Sequence, residues 1–114
     1  MRSTNAVASR QRRKKVLKQT KGYQKAPRTS YKLGKQAVTR AGQYAYRDRR
    51  VKKREFRKLW IKRINIAARE NGINYSALIN GLAKNNIEID RKTMAEMAVN
   101  EPAAFSAVVT AAKK

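Results

Sequence analysis

Between Tyr31 and Asn71 nothing in the sequence stops a helix. The stretch has no proline, and Gly34 and Gly42 weaken a helix without ending it. Thr29 or Ser30 offers an N-cap ahead of it, and Asn71-Gly72 is a C-terminal signal behind it. A helix over this span has about 40 residues and a length of about 60 Å. That exceeds the width of any core a chain of 114 residues builds, so most of the helix must lie against something other than its own protein.

The charge distribution says which part stays outside a core. Residues 1–58 hold 21 Lys and Arg against 2 acids, a net of +19, and residues 59–114 hold 8 against 5, a net of +3. The sequence therefore divides into a basic arm, 1–58, and a nearly balanced, more apolar part, 59–114. Such asymmetry points to nucleic acid or an anionic membrane as partner. The second part is close to the lower size for independent folding, and it has no disulfide or metal to help. The chain has no Cys and no His, which removes thiol chemistry, zinc-finger sites and the usual general base. No cofactor is expected, and no apolar run approaches the ~20 residues of a membrane span.

Ahead of the long helix, "RQRRKKVLKQTKG" suits a short helix from Ser9 to Lys21, with Ser9 as N-cap and Gly22 just past its end. Its cations repel each other in water, so order there is expected on a polyanion. "GYQKAPRTS" is a break over 22–29, punctuated by Gly22 and Pro27. Three short helices follow Gly72. Asn74 caps one carrying Tyr75, Leu78, Ile79 and Leu82, and Asp90 caps one carrying Met94, Met97 and Ala98. Pro102 opens the third, with Phe105, Val108, Val109 and Ala112. "NNIEID" turns Ile87 and Ile89 inward. With Leu59, Ile61, Ile64 and Ala68 these residues form a small bundle. The expected fold is all-α: an extended basic N-terminal arm whose long helix leads into a C-terminal helical bundle.

The densest charge lies in "QYAYRDRRVKKREFRKLW", residues 43–60. From Tyr46 to Lys58 it carries eight cations and two acids. At roughly 100° per residue the cations surround most of the helix, and Asp48 and Glu55 share the remaining sector. Lys52 stands within i+4 and i+3 of those acids, which brace it. A membrane-surface helix needs a wide apolar face, and Val51 is the only aliphatic residue between Tyr46 and Lys58. A major-groove helix contacts nucleic acid on one side. Cations on nearly all sides suit a helix sunk between several phosphate backbones, as in folded RNA. A solvated charge run is the bland alternative, but it would mix its signs more evenly. Tyr23, Tyr31, Tyr44 and Tyr46 can stack on bases or riboses, while Trp60 and Phe56 border the apolar part and suit either a core or an RNA surface. An Arg-, Ser- and Thr-rich N-terminus also fits a mitochondrial transit peptide, yet Val7, Val16 and Leu17 are sparse and the basic composition runs on past any cleavage point. The acids are scattered, no residue activates the Ser and Thr hydroxyls, and no glycine run forms a phosphate loop, so an enzyme is not expected.

"KKVLKQTKGY", "KQAVTRAGQYAYRDRRVKKREFRKLWIKRIN", "NGINYSALINGLAKNNIEIDRKTMAEMAV" and "AAFSAVV" resemble the ribosomal protein L20 family of the bacterial large subunit. The resemblance is colinear from about residue 6 onward, which leaves no room for a transit peptide. "GYQKAPRTSYKLG" departs from it at Gln24 and Pro27, where the family more often has an aromatic or glycine and then Arg-rich residues. The resemblance implies a cytoplasmic protein working in the ribosome. It implies an arm threading through large-subunit rRNA, a globule on the rRNA surface, and a role early in subunit assembly. Neighbouring large-subunit proteins, and in some bacteria the family's own messenger RNA, are the other implied partners.

Carried over by position, rRNA contacts fall to Arg10, Arg12, Arg13, Lys14, Lys15, Lys18, Lys21 and Tyr23 in the first segment. In the long helix they fall to Arg47, Arg49, Arg50, Lys53, Arg54, Arg57 and Lys58, and in the globule to Arg91 and Lys92 at a helix N-terminus. Lys25, Arg28, Lys32, Lys35, Arg40, Tyr44, Tyr46, Lys52 and Arg63 complete the candidate RNA-binding set. A DNA-binding protein is the alternative from another biological role, separable by preference for structured RNA over duplex DNA. A membrane-active cationic protein is a third, separable by binding to anionic vesicles.

Overall fold

The computed structural model describes residues 6–114, and the first five, which match no sequence pattern, lie outside it. The described residues are all-α, with helices α1 (Ala6–Gln19), α2 (Tyr31–Glu70), α3 (Tyr75–Lys84), α4 (Arg91–Asn100) and α5 (Pro102–Lys113). A single 3-10 turn, Ala26–Arg28, lies in the break between α1 and α2. Two compact units divide the chain, the first ending at Arg50 and the second running Val51–Lys114.

In the first unit, α1 encloses Ser9 rather than being capped by it. Ala6, Val7 and Ala8 hold nothing that halts a helix, so the expected start at Ser9 is too late. The helix also closes two residues short of Lys21. Thr20 turns its hydroxyl back on the Leu17 carbonyl at 2.9 Å and reaches the Arg28 carbonyl at 3.4 Å. Gly22 follows at φ 89. Thr20 is fully buried. It is held by Leu17 and by the first turns of α2, where Gly34 passes so close that an added Cβ would stand 2.9 Å from the Pro27 carbonyl oxygen. Lys25, at φ 64, takes a left-handed conformation that a side chain with a Cβ adopts at a cost.

The second unit has an apolar core. Ile64, Ala67 and Ala68 of α2 pack with Leu78 and Leu82, Met94 and Ala95, and Phe105, Val109 and Ala112. Trp60, Ile73, Tyr75, Ile79, Ile87, Ile89, Met97, Ala98 and Val108 close its margins. Leu59 does not join it and is 38% exposed. Helical spacing explains this correction: Trp60, Ile64 and Ala67–Ala68 share one face, and Leu59 with Ile66 falls on another.

Local chemistry sets the helix ends. Asn74 and Asp90 accept from the backbone N–H of Ala77 and Thr93 at 2.8 and 3.1 Å, satisfying donors that a helix start leaves free. The Asp90 carboxyl is held below its usual range chiefly by the hydrogen bonds from Thr93. Helix α2 ends in a paired motif around Gly72 at φ 82: the Ile73 N–H donates to the Ala68 carbonyl at 3.0 Å, and the Gly72 N–H to that of Arg69 at 3.1 Å. The same pattern closes α3, with Asn86 at φ 55. Helices α3 and α5 pack so closely at Gly81 that any side chain there would strike the Ala112 backbone.

Candidate nucleic-acid interface

Helix α2 runs without a break from Tyr31 to Glu70. Through Gly42–Leu59 every residue is exposed except Val51, which is half-buried. All eight cations between Tyr46 and Lys58 therefore face solvent around the helix: Arg47, Arg49, Arg50, Lys52, Lys53, Arg54, Arg57 and Lys58. Among the described residues only two of them have a carboxylate partner. Arg47 Nε donates to Asp48 at 2.9 Å, and Lys58 Nζ to Glu55 at 3.3 Å. The expected bracing of Lys52 by both acids does not occur: Asp48 is taken by Arg47 and Glu55 by Lys58. Lys52 Nζ lies instead 5.9 Å from the centre of the Phe56 ring. Asp48 raises the pKa of the Arg47 guanidinium, first by hydrogen bonding and then by its charge.

The first unit adds further exposed cations. Arg10, Arg12, Arg13, Lys14, Lys15 and Lys18 stand on α1, Lys21, Lys25 and Arg28 in the break, and Lys32, Lys35 and Arg40 on the first turns of α2. Tyr23 is half-buried. In the second unit Arg63 is exposed on α2, and Arg91 and Lys92 begin α4. Lys92 is exposed, whereas Arg91 is half-buried and donates through Nε to the Tyr75 hydroxyl at 2.8 Å.

The aromatic residues of α2 are engaged by cations of the chain itself. Arg40 and Arg47 each place their guanidinium carbon 4.8 Å from the centre of the Tyr44 ring. Arg50 lies 4.6 Å from that of Tyr46, and Arg13 of α1 lies 5.6 Å from that of Tyr31. The sequence offers these tyrosines as surfaces for bases or riboses, and each also meets an arginine of the chain itself. The missed signal is spacing, since Arg40 is i−4 and Arg47 is i+3 from Tyr44, the separations at which helical side chains meet. Trp60 packs against the core margin, 6.3 Å ring to ring from the more exposed Phe56.

The model of one family, described as ribosomal protein L20, matches residues 2–108. The chain belongs to the ribosomal protein L20 family. Among relatives of this L20 chain, the large ribosomal subunit protein bL20 of Chlorobium chlorochromatii is 61% identical over 113 residues, covering 99% of this chain and 98% of that protein. That of Hahella chejuensis is 58% identical over 113 residues, covering 99% and 96%. That of Chlorobaculum tepidum is 59% identical over 111 residues, covering 97% and 96%. As a ribosomal L20 protein the chain has a structural, RNA-associated role in translation and is not an enzyme. No helix among the described residues is long and apolar enough to cross a membrane.

Proposed function

We propose that this chain is a cytoplasmic scaffold of the large ribosomal subunit that binds rRNA directly and draws separate rRNA segments together early in assembly. The observation that carries the reading is the exposure of residues 42–59 on nearly every side of one continuous helix, with cations pointing most of the way round. A rod of that kind meets phosphate backbones on several sides at once. Residues 1–58 act as the arm that enters folded RNA, through the cations of α1, the break and α2 together with Tyr23, Tyr44 and Tyr46. Residues 59–114 act as a globule with one local RNA site, built on Arg91 and Lys92 at the start of α4. There the helix dipole favours phosphate, and Tyr75 holds the Arg91 guanidinium in place. Neighbouring large-subunit proteins and the chain's own messenger RNA are the other proposed partners.

Phosphate neutralisation makes the affinity fall with salt. Each phosphate contact contributes roughly 0.7–0.9 to the logarithmic slope. Replacing Arg49, Arg50 and Arg54 together by Ala is expected to shallow that slope by about 2 units or more on a large-subunit rRNA transcript. An unchanged slope would mean that the run is merely solvated. Equal affinity for duplex DNA would favour a DNA-binding role, and binding to anionic vesicles a membrane one.

A further inference from the structure

We infer that Tyr44 is a positioning residue that presents Arg40 and Arg47 as one preformed phosphate-binding doublet. This rests on the RNA-binding reading of the arm and names how one part of α2 would grip the backbone. The two arginines stand about two turns apart on the helix, one on either side of Tyr44 in sequence, yet both guanidiniums lie 4.8 Å from the centre of the same ring. Their charges are thus held less than twice that distance apart. Such an approach is unfavourable for two cations unless something offsets the repulsion. The negative face of the Tyr44 ring does so. Each guanidinium also has a further partner: Arg40 donates from Nε to the Tyr44 hydroxyl at 3.0 Å and from Nη1 to Gln43 at 3.3 Å, and Arg47 donates from Nε to Asp48 at 2.9 Å.

The nitrogens left over point to the ligand. Nη2 of Arg40 and both terminal nitrogens of Arg47 have no protein partner among the described residues. The terminal fork of Arg47 matches the oxygens of a phosphate group, and Nη2 of Arg40 adds a single charged donor. The two groups, held on one ring of an exposed helix, suit the phosphates of a single RNA strand. A long arginine side chain loses rotamer freedom when it binds, and holding it against a ring beforehand removes part of that loss. Tyr44 is 41% exposed, but a base stacking on it would have to displace a guanidinium. The ring therefore acts on RNA through the two arginines.

A double-mutant cycle in the full chain tests this, with affinity for a large-subunit rRNA transcript measured at one fixed salt concentration. Tyr44→Leu keeps a helix-favouring residue and removes the ring, and is expected to weaken binding about three- to tenfold. Tyr44→Phe keeps the ring and is expected to restore affinity to within about twofold of the parent. In a chain already carrying Arg40→Ala and Arg47→Ala, Tyr44→Leu should cause no further loss. An equal loss in both backgrounds would show Tyr44 touching RNA itself and would overturn the inference, as would parental affinity in Tyr44→Leu. Failure of the parent chain to bind the transcript at all would overturn the RNA-binding reading, and this inference with it.

Discussion

The two units are held by different means. Among the described residues of the first, the only fully buried side chain is that of Thr20, a polar group on two backbone carbonyls beside a glycine. The second buries ten apolar residues from four helices. The first spends its side chains on charge and keeps its turn in place with one hydroxyl and one missing Cβ. The second packs ten apolar residues into a core and keeps its cations outside it, Lys52, Lys53, Arg54, Arg57 and Lys58 among them. A chain that must present cations all round a rod cannot also build a core from the same residues, since burying an unpaired charge costs far more than burying a methyl group returns.

The largest expected effect is confined to the second unit. Phe105 is among its largest fully buried side chains, and Phe105→Ala should cost about 3–5 kcal/mol through lost burial and the cavity left behind. Trp60 fluorescence during thermal unfolding would report it, because that ring packs against the core margin. The amide of Thr20 should keep its exchange rate in the same variant. A parallel loss of protection at Thr20 would break the contrast between the units.

An intermediate effect belongs to the first unit. Gly34→Ala places a methyl group 2.9 Å from the Pro27 carbonyl oxygen, a backbone atom. Overpacking costs about 1–3 kcal/mol, and about 1 kcal/mol returns because alanine favours helix over glycine. The net expectation is a loosened turn, seen as faster exchange at Thr20 and Tyr23 with the Trp60 transition unchanged. Slower exchange there would mean that the turn is not held by this close approach.

The smallest effect sharpens the account of the helix ends. Asp90 has its carboxyl pKa lowered in the folded chain, chiefly by hydrogen bonds from Thr93. Its contribution to stability is therefore present above the unfolded carboxyl value, near 4, and is lost as pH falls through the lower folded one. Asp90→Asn keeps a capping oxygen that does not titrate. It should match the parent at neutral pH and lose a small part of the acid sensitivity of the second unit. An acid midpoint identical to that of the parent would mean the cap contributes nothing that titrates.

Features carried by neighbouring residues were legible in the sequence. Asn74, Asp90 and Pro102 begin their helices, and Asn71-Gly72 ends α2, because each acts within one turn of the chain. The dense cations of α2 were equally legible, since no fold can bury them. What failed needed knowledge of a neighbour. Leu59 has the same chemistry as the core residues around it, and only the direction from which α3 and α5 approach separates its face from that of Ile64. Gly34 reads as a weak point in a helix and Thr20 carries no signal, because their partners lie seven and eight residues away across a turn. Lys52 had two acids at good spacing, but Arg47 and Lys58 compete for the same acids and take them.

The way each unit closes also sets an order in time. A chain is made from its N-terminus, so the parts that pin the first unit, from Leu17 to Gly34, all exist before any of α3 has been synthesised. The second unit needs Phe105, Val109 and Ala112 of α5, its last helix, before its core can close. At roughly 5–20 residues per second, the interval between Gly34 and Ala112 is roughly 4–16 s. From Lys58 onward, for roughly 3–11 s of that window at the same rate, the nascent chain carries its full complement of arm cations while its core is still incomplete, so any polyanion it meets encounters those cations first.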